Sequence, residues 1–173
     1  MPDLKSIPDE VKWRLAAKLA SLLPALYESA FRDVAGDRYD EIEQGIWMEI
    51  SCVADDIVRD LSLPIGNAGE LADSLRTVLA ILFGPDYKSE TIEFSNDGAV
   101  VLVKRCPLPK QCPGERSGDI SAFQRCMVLT LTTIPSLNKK YSARFVRAMC
   151  TGDRQCELKI ETVKPGKDVQ EKK

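Results

Sequence analysis

The sequence predicts an α+β fold in which an N-terminal helical half packs on a small antiparallel sheet, made of two hairpins with an intervening helix. Apolar residues recur at three- and four-residue steps through the first half of the chain, which is typical of amphipathic helices. The period changes to alternation around an Asn-Asp-Gly turn signal in the second half, which is typical of antiparallel strands. The 173 residues suit one domain over 1–163, with a helical part over 1–85, a cysteine-containing part over 86–163 and a polar tail over 164–173.

The first two predicted helices each carry an apolar stripe. Residues 7–34 form the first helix, and Pro24 is expected to kink it or divide it in two. The second helix runs from about residue 37 to residue 61 at close to heptad spacing, so its stripe can also serve as a homodimer seam. Cys52 lies beside that second stripe and is expected to be a small buried residue. The stripes are Val11, Leu15, Leu19, Leu22, Leu23 and Leu26 on the first helix and Ile42, Ile46, Ile50, Val53, Ile57 and Leu61 on the second.

Strong local signals define the elements that follow. Asn67 is expected to cap a third helix, Glu70 completes a capping-box-like pair with it, and Gly84 ends the helix. Alternating residues on either side of a turn predict a β-hairpin over 91–104, which leads the chain directly into Cys106.

A fourth helix and a second hairpin complete the predicted fold. The helix begins with Asp119 as its cap and ends at Pro135. Two alternating stretches, 141–149 and 156–163, are joined by a short connection and predict the last pair of strands. The expected buried stripe of the helix is Ile120, Phe123, Met127, Leu131 and Ile134.

Composition narrows the classes of function. A formal net charge of −2 argues against bulk attraction to nucleic acid or to anionic lipid. The chain has no histidine, so a Ser–His or Cys–His hydrolase mechanism lacks its usual base. No apolar run approaches the ~20 residues needed to span a bilayer, and the polar N-terminus does not resemble a signal peptide. We therefore expect a cytoplasmic protein that binds neither nucleic acid nor membrane.

Five of the six cysteines lie between residues 106 and 156. Clustered cysteines in a cytoplasmic protein more often bind metal or do redox chemistry than form structural disulfides. Cys150 and Cys156 flank a five-residue hairpin loop, and Cys106 and Cys126 can supply two further ligands, with Cys112 as an alternative. Four thiolates suit Zn²⁺ or a 4Fe–4S cluster, which spacing alone does not separate. Ordinary buried cysteines and a reversible disulfide between Cys150 and Cys156 stay open as alternatives.

The run FVRAMCTGDRQCELKIE, at 145–161, resembles the C-terminal hairpin of the 4-vinyl reductase-like domain superfamily, whose members include domains similar to L-2-amino-thiazoline-4-carboxylic acid hydrolase. The resemblance implies a small-molecule-binding α+β domain that is often dimeric through its N-terminal part. In similar domains of aromatic-sensing regulators, cysteines at the positions of Cys126, Cys150 and Cys156 hold zinc. The residues that carry the resemblance are Cys150, Gly152, Asp153 and Cys156, with Cys106-Pro107 and Cys126 upstream.

These observations favour a metal-stapled ligand-binding or sensor domain over an enzyme. Its ligand would be small and hydrophobic or aromatic, and its partners a second copy and another protein. One alternative is a thiazoline-type hydrolase, in which Asp153 or Glu157 is the nearest carboxylate to act as base. The other is an iron–sulfur or redox protein. The expected ligand pocket lies between the N-terminal helices and the sheet and is lined by Phe94, Phe123, Phe145 and Met149.

Overall fold

The computed structural model describes residues 3–95, 97–108 and 120–163. Within these residues the chain forms α1 (Asp9–Ala35), α2 (Tyr39–Asp60), α3 (Ala68–Phe83), β1 (Lys88–Ser95), β2 (Gly98–Arg105), α4 (Ile120–Leu137), β3 (Tyr141–Arg147) and β4 (Cys156–Thr162). The predicted cap Asp119, the alternative ligand Cys112 and the tail over 164–173 lie outside the described residues.

The four strands form one antiparallel sheet in the order β1-β2-β4-β3. Each hairpin pairs internally, and the central strands β2 and β4 join the two hairpins, with Val101 opposite Leu158. The connection between the hairpins contains α4. The predicted α+β architecture, with two hairpins and an intervening helix, is therefore confirmed.

The helices cover one face of the sheet in two layers. α3 packs on β1 and β2, while α4 packs on β3 and also against α2. α1 lies outermost and contacts α3 and α2. The main core is formed where α3 and α4 meet the sheet, and its fully buried side chains include Leu71, Leu75, Leu129, Val101 and Ile160.

The start of α3 has the predicted capping arrangement. Asn67 Oδ1 accepts a hydrogen bond of 2.9 Å from the Glu70 backbone N–H. The Glu70 carboxylate in turn accepts one of 2.6 Å from the N–H of Gly66. The bond to Asn67 satisfies a backbone donor that the first helical turn leaves unpaired, and the bond to Glu70 pairs the N–H of the residue just before the cap.

Two prolines lie inside helices, namely Pro24, which was expected to kink α1 or divide it in two, and Pro135, which was expected to end α4. α1 continues through Pro24 as one helix, and the carbonyl of Ala20, which loses its usual partner there, belongs to an exposed residue that water can reach. α4 continues two residues beyond Pro135, since the backbone N–H of Asn138 donates to the carbonyl of Ile134 at 3.0 Å. The helix end predicted at Pro135 is therefore wrong.

Most of the residues in the apolar stripes predicted on α1 and α2 do not face the core, although Ile50 and Ile57 of α2 pack against it. The buried residues of α1 are Ala17, Ser21 and Ala25, whereas Leu15 and Leu19 are 62% and 59% exposed. The side chains that α2 buries are Tyr39, Glu43, Trp47, Ser51, Ala54 and Val58. Most of its predicted stripe is partly or largely exposed, and the prediction that Cys52 is buried is wrong, because its side chain is exposed. Among the described helices, none is both long and apolar enough to cross a membrane.

Gly84 sets how closely α1 approaches the body of the fold. It ends α3 with a φ of +87°, and a Cβ atom placed on it would lie 2.6 Å from the Cβ of Ala17 on α1. Only glycine fits both the left-handed backbone and this close approach. The small side chain of Ala17 has the same explanation.

We expect Gly84→Ala to lower the free energy of unfolding by about 2–4 kcal/mol, because left-handed strain adds to the overlap with Ala17. The control is Gly36→Ala, where φ is +56° and no atom lies within 4 Å of the added Cβ, so strain alone should cost about 1–2 kcal/mol. Urea unfolding monitored by circular dichroism measures both. Equal losses would show that α1 is not held against Gly84.

Candidate functional site

An open apolar groove lies between α1 and α2 and is the candidate functional site. Its volume is about 720 Å³, within the range of small-molecule sites. α1 and α2 form the two walls, and the end of α3, Leu108 and α4 complete the floor. Residues that define the groove include Tyr27 and Phe31 on α1, Ile42, Ile46 and Trp47 on α2, and Leu129 on α4.

The groove is elongated along the helices. On α1 its lining residues run from Ala20 to Ala35, which corresponds to about 22 Å of helix at 1.5 Å per residue. On α2 they run from Tyr39 to Ile50, or about 17 Å. The walls therefore form a long channel rather than a compact cup.

Below the groove, the buried guanidinium of Arg125 joins α4 to both walls. Arg125 is 4% exposed, and its guanidinium contacts Glu28 on α1 and Glu43 on α2. Arg125 Nε donates to Glu43 Oε1 at 2.8 Å, and the same oxygen accepts from the Tyr39 hydroxyl at 3.1 Å. Glu28 also accepts from Ser121 at 2.8 Å. We call Arg125, Glu28 and Glu43 the buried ion-pair cluster.

The contacts within the buried ion-pair cluster favour the charged forms of Glu28 and Arg125. Burial alone would raise the pKa of Glu28, but hydrogen bonds from Ser121 and Arg32 and the charge of Arg125 lower it overall. Burial alone would likewise lower the pKa of Arg125, and the charges and hydrogen bonds of Glu43 and Glu28 raise it. Since these polar groups pair with one another, the surface that the groove offers to a ligand is almost entirely apolar.

The four predicted cysteine ligands lie near enough that Cys150 and Cys156 influence the pKa values of Cys106 and Cys126. Burial raises the pKa of Cys106 to about 12, and the neighbouring thiols of Cys150 and Cys156 add to the effect. Burial raises the pKa of Cys126 well above its ordinary value, again with contributions from Cys106, Cys156 and Cys150. Burial also raises the pKa of Cys156, whose sulfur accepts a hydrogen bond from the Met149 N–H at 3.2 Å. Cys106, Cys126 and Cys156 are therefore protonated at neutral pH.

The four residues of the predicted ligand pocket do not line the groove. Phe123 and Phe145 meet edge to face at 5.3 Å and, with Met149, pack against the main core. Phe94 is 54% exposed, and its ring lies 5.4 Å from the ammonium group of Lys159. Because Lys159 alternates with the buried Leu158 and Ile160 on β4, Phe94 lies on the open face of the sheet.

The two candidate base residues have structural partners. Asp153 Oδ2 accepts a hydrogen bond from the Ala148 N–H at 2.9 Å and so closes the turn before β4. Glu157 Oε1 accepts from Gln155 at 2.9 Å and lies 3.3 Å from Arg147. Neither carboxylate lines the groove.

Comparison with known proteins identifies a fold rather than a family. No family model matches the chain, and no curated protein matches it. A similar solved structure is trafficking protein particle complex subunit 3 from Naegleria fowleri, crystallised covalently bound to palmitic acid. The two chains are 12% identical with a TM-score of 0.59, and the match covers 90% of this chain and 98% of that one. The resemblance to 4-vinyl reductase-like domains is not tested by these comparisons and stays a prediction.

The metal-stapled sensor function predicted from the cysteines is wrong. The described residues contain no group of three or more His, Cys, Asp or Glu placed to hold a metal ion, and the fold matches a trafficking-complex subunit. The prediction rested on spacing along the chain, whereas a metal site also needs its ligand atoms placed around one point, and the described residues contain no such group. The same findings contradict the two alternative functions, a thiazoline-type hydrolase and an iron–sulfur or redox protein. The predicted cofactors themselves, Zn²⁺ or a 4Fe–4S cluster, are not tested and stay predictions.

Sequence analysis missed the groove and the buried ion-pair cluster. One available signal was Arg125, which stands among apolar residues in the fourth helix and, being charged, needs a buried carboxylate partner. Glu43 was another, since it lies on the side of α2 that carries Trp47. Neither residue reveals its partner in the sequence, because the partners are 82 and 97 positions away.

We expect Arg125→Met to destabilise the fold by about 3–5 kcal/mol, because Glu28 and Glu43 would be left buried without a counter-charge. Arg59→Met is the matched control, since the Arg59 side chain is 71% exposed in its pair with Asp56 and should contribute less than about 1 kcal/mol. Chemical denaturation of both variants measures the difference. Similar midpoints for the two variants would contradict a structural role for the cluster.

Proposed function

We propose that this chain is a non-catalytic subunit of a protein assembly and that it holds a long acyl chain in the groove between α1 and α2. The observation that carries the proposal is the groove itself, which is long, open to solvent and lined by apolar side chains. Apolar surface of this extent is unfavourable in water, and a ligand that covers it gains roughly 25 cal/mol for each Å² buried.

The shape of the groove favours a flexible, unbranched ligand. Its walls follow about 22 Å of α1, a length suited to an extended acyl chain rather than to a compact aromatic molecule. The aromatic rings of Tyr27 and Phe31, which stack at 6.2 Å, and the indole of Trp47 supply broad apolar contacts.

The solved neighbour supports the same class of ligand and of partner. That protein is by name a subunit of a complex, and its structure contains palmitic acid. A fold that accepts a palmitoyl chain in one protein can offer similar space in another, and this chain presents an apolar groove of suitable size. A protein partner, which the sequence allowed, is consistent with the neighbour's membership of a complex.

We propose that the acyl chain is bound reversibly, unlike the palmitic acid that is covalently bound in the neighbour. None of the five cysteines in the described part of the chain lines the groove. Cys52 is exposed on α2 outside the lining, and the thiols of Cys106 and Cys126 have raised pKa values that disfavour attack on an ester. Binding therefore rests on burial of the hydrocarbon.

We expect brominated palmitic acid to quench the fluorescence of Trp47 saturably, because the indole lines the groove. The measurement uses a Trp13→Phe background, which leaves Trp47 as the single remaining tryptophan of the two. In that background, Ile46→Glu should weaken binding roughly tenfold or more, because it removes apolar contact and places a carboxylate in the groove.

The matched control is Met48→Glu. Ile46 and Met48 are 54% and 48% exposed on the same helix, but only Ile46 lines the groove. Met48→Glu should leave the quenching curve unchanged, and dialysis should remove the acid from the parent protein. Absence of saturable quenching, or an equal loss in both variants, would overturn the proposal.

A further inference from the structure

We propose that the outer edge of β3 binds an extended, acidic segment of a partner protein, which adds a strand to the sheet. β3 lies at one end of the strand order β1-β2-β4-β3, so its edge away from β4 has no neighbouring strand among the described residues. The proposal names a class of partner for the assembly proposed above and rests on the proposed function in that respect alone. The acyl groove takes no part in it, since no residue of β3 lines the groove.

The register of β3 directs backbone groups of Ala143 and Phe145 away from β4. The N–H of Val163 on the β4 side donates to the carbonyl of Lys140 at 2.8 Å, so these two residues form a hydrogen-bonded pair. Bonded and non-bonded pairs alternate along an antiparallel ladder, and Arg144 is therefore in a bonded pair with β4. Ala143 and Phe145, one position on either side, present their N–H and carbonyl groups at the outer edge, where a further strand can bond to them.

The opposite edge of the sheet, on β1, suits such a partner less well. The carbonyl of Ser89 already accepts a hydrogen bond of 3.1 Å from the guanidinium of Arg76 on α3, which also donates to the Thr91 hydroxyl at 3.2 Å. β1 also carries the carboxylates of Glu90 and Glu93. Because these would repel an acidic strand, the edge of β3 is the one that fits it.

The charges along β3 define the partner as acidic. The side chains of Arg144 and Arg147 are 57% and 58% exposed, and the exposed Lys139 and Lys140 precede the strand. Two copies paired through β3 would bring these like charges together, which is unfavourable. The charges that protect this edge from a second copy therefore attract a strand that carries carboxylates.

Both arginines can turn to a new partner at little cost. Arg144 lies 3.2 Å from Glu161, whose carboxylate also pairs with the ammonium group of Lys159 at 2.6 Å. Arg147 lies 3.3 Å from Glu157, whose carboxylate also accepts a hydrogen bond of 2.9 Å from a neighbouring glutamine. Exposed ion pairs contribute little to stability, and each carboxylate retains a second donor when its arginine turns away.

The helix-covered side of an added strand would meet apolar surface. Ala143 and Phe145 pack against the main core, and the Phe145 ring meets Phe123 of α4 edge to face at 5.3 Å. Side chains alternate between the two faces of a strand, so the partner would place apolar side chains beside these residues and acidic ones beside Arg144. The partner segment is therefore one in which acidic and apolar residues alternate.

Fluorescence anisotropy with a synthetic peptide tests the proposal. The probe is a fluorescein-labelled peptide of seven residues, the length of β3, in which glutamate and valine alternate. It should bind the full chain saturably. Proline in place of its central valine removes a backbone N–H but keeps the charge, and should weaken binding roughly tenfold or more. Absence of saturable binding, or equal binding of the proline peptide, overturns the proposal.

Variants of the chain test the position of the peptide. Arg144→Glu should weaken binding roughly tenfold or more, because it places a carboxylate opposite those of the peptide. The matched control is Arg105→Glu, which should leave binding unchanged, because the Arg105 side chain is 61% exposed but lies at the end of the internal strand β2. Equal losses in the two variants would contradict binding at β3.

Amide hydrogen exchange measured by NMR tests the backbone bonds. The N–H groups of Ala143 and Phe145 should gain protection when the peptide binds, whereas that of Arg144, already bonded to β4, should change little. Binding without protection at Ala143 and Phe145 would show that the peptide lies elsewhere and would overturn the added strand.

The groove and the edge of β3 have separate readouts. Arg144→Glu should leave the quenching of Trp47 by brominated palmitic acid unchanged, and Ile46→Glu should leave peptide binding unchanged. If the acid quenches Trp47 and the peptide does not bind, the proposal for β3 alone is wrong. If the peptide binds and quenching fails, the acyl groove alone is wrong.

Discussion

The buried guanidinium of Arg125 is the interaction on which the helical part of the fold depends. It belongs to α4, which packs on the sheet, and it contacts carboxylates from both α1 and α2. Burying these charges is costly in itself, so they are stable there only as a complete set with their hydrogen bonds. Because Glu28 and Glu43 stand on opposite walls of the groove, the same contacts fix the separation of the walls. The buried ion-pair cluster thus spaces the two helices that form the walls of the apolar groove.

The position of α1 explains why so much apolar surface stays exposed. The close approach at Gly84 admits only small side chains such as Ala17 on the inner side of this helix. The larger apolar residues of α1 consequently lie on its other sides, one of which lines the groove, and many of them stay exposed. The described fold therefore leaves unburied apolar side chains that a helix of this composition would ordinarily bury.

Local sequence signals predicted those parts of the fold that are determined by residues close together in the sequence. The cap at Asn67 and the turn before Gly98 act over a few positions, so α3 and the first hairpin follow from the sequence. The stripes of α1 and α2 were recognised as apolar, but periodicity does not say whether the core, a ligand or a partner covers them. Arg125 shows the same limit, since its carboxylate partners come from distant helices. The groove depends on such long-range contacts and was therefore not predicted.

The cysteines show how burial decides chemistry that spacing suggests. The second hairpin brings Cys150 and Cys156 towards Cys106 and Cys126, and the thiols do influence one another. The same packing that gathers them also removes water, and desolvation favours the neutral thiol over the thiolate. A thiol that keeps its proton packs as a small apolar group and is a weak nucleophile. In the function proposed above, recognition rests on the burial of hydrocarbon in the groove between α1 and α2, whose lining is almost entirely apolar.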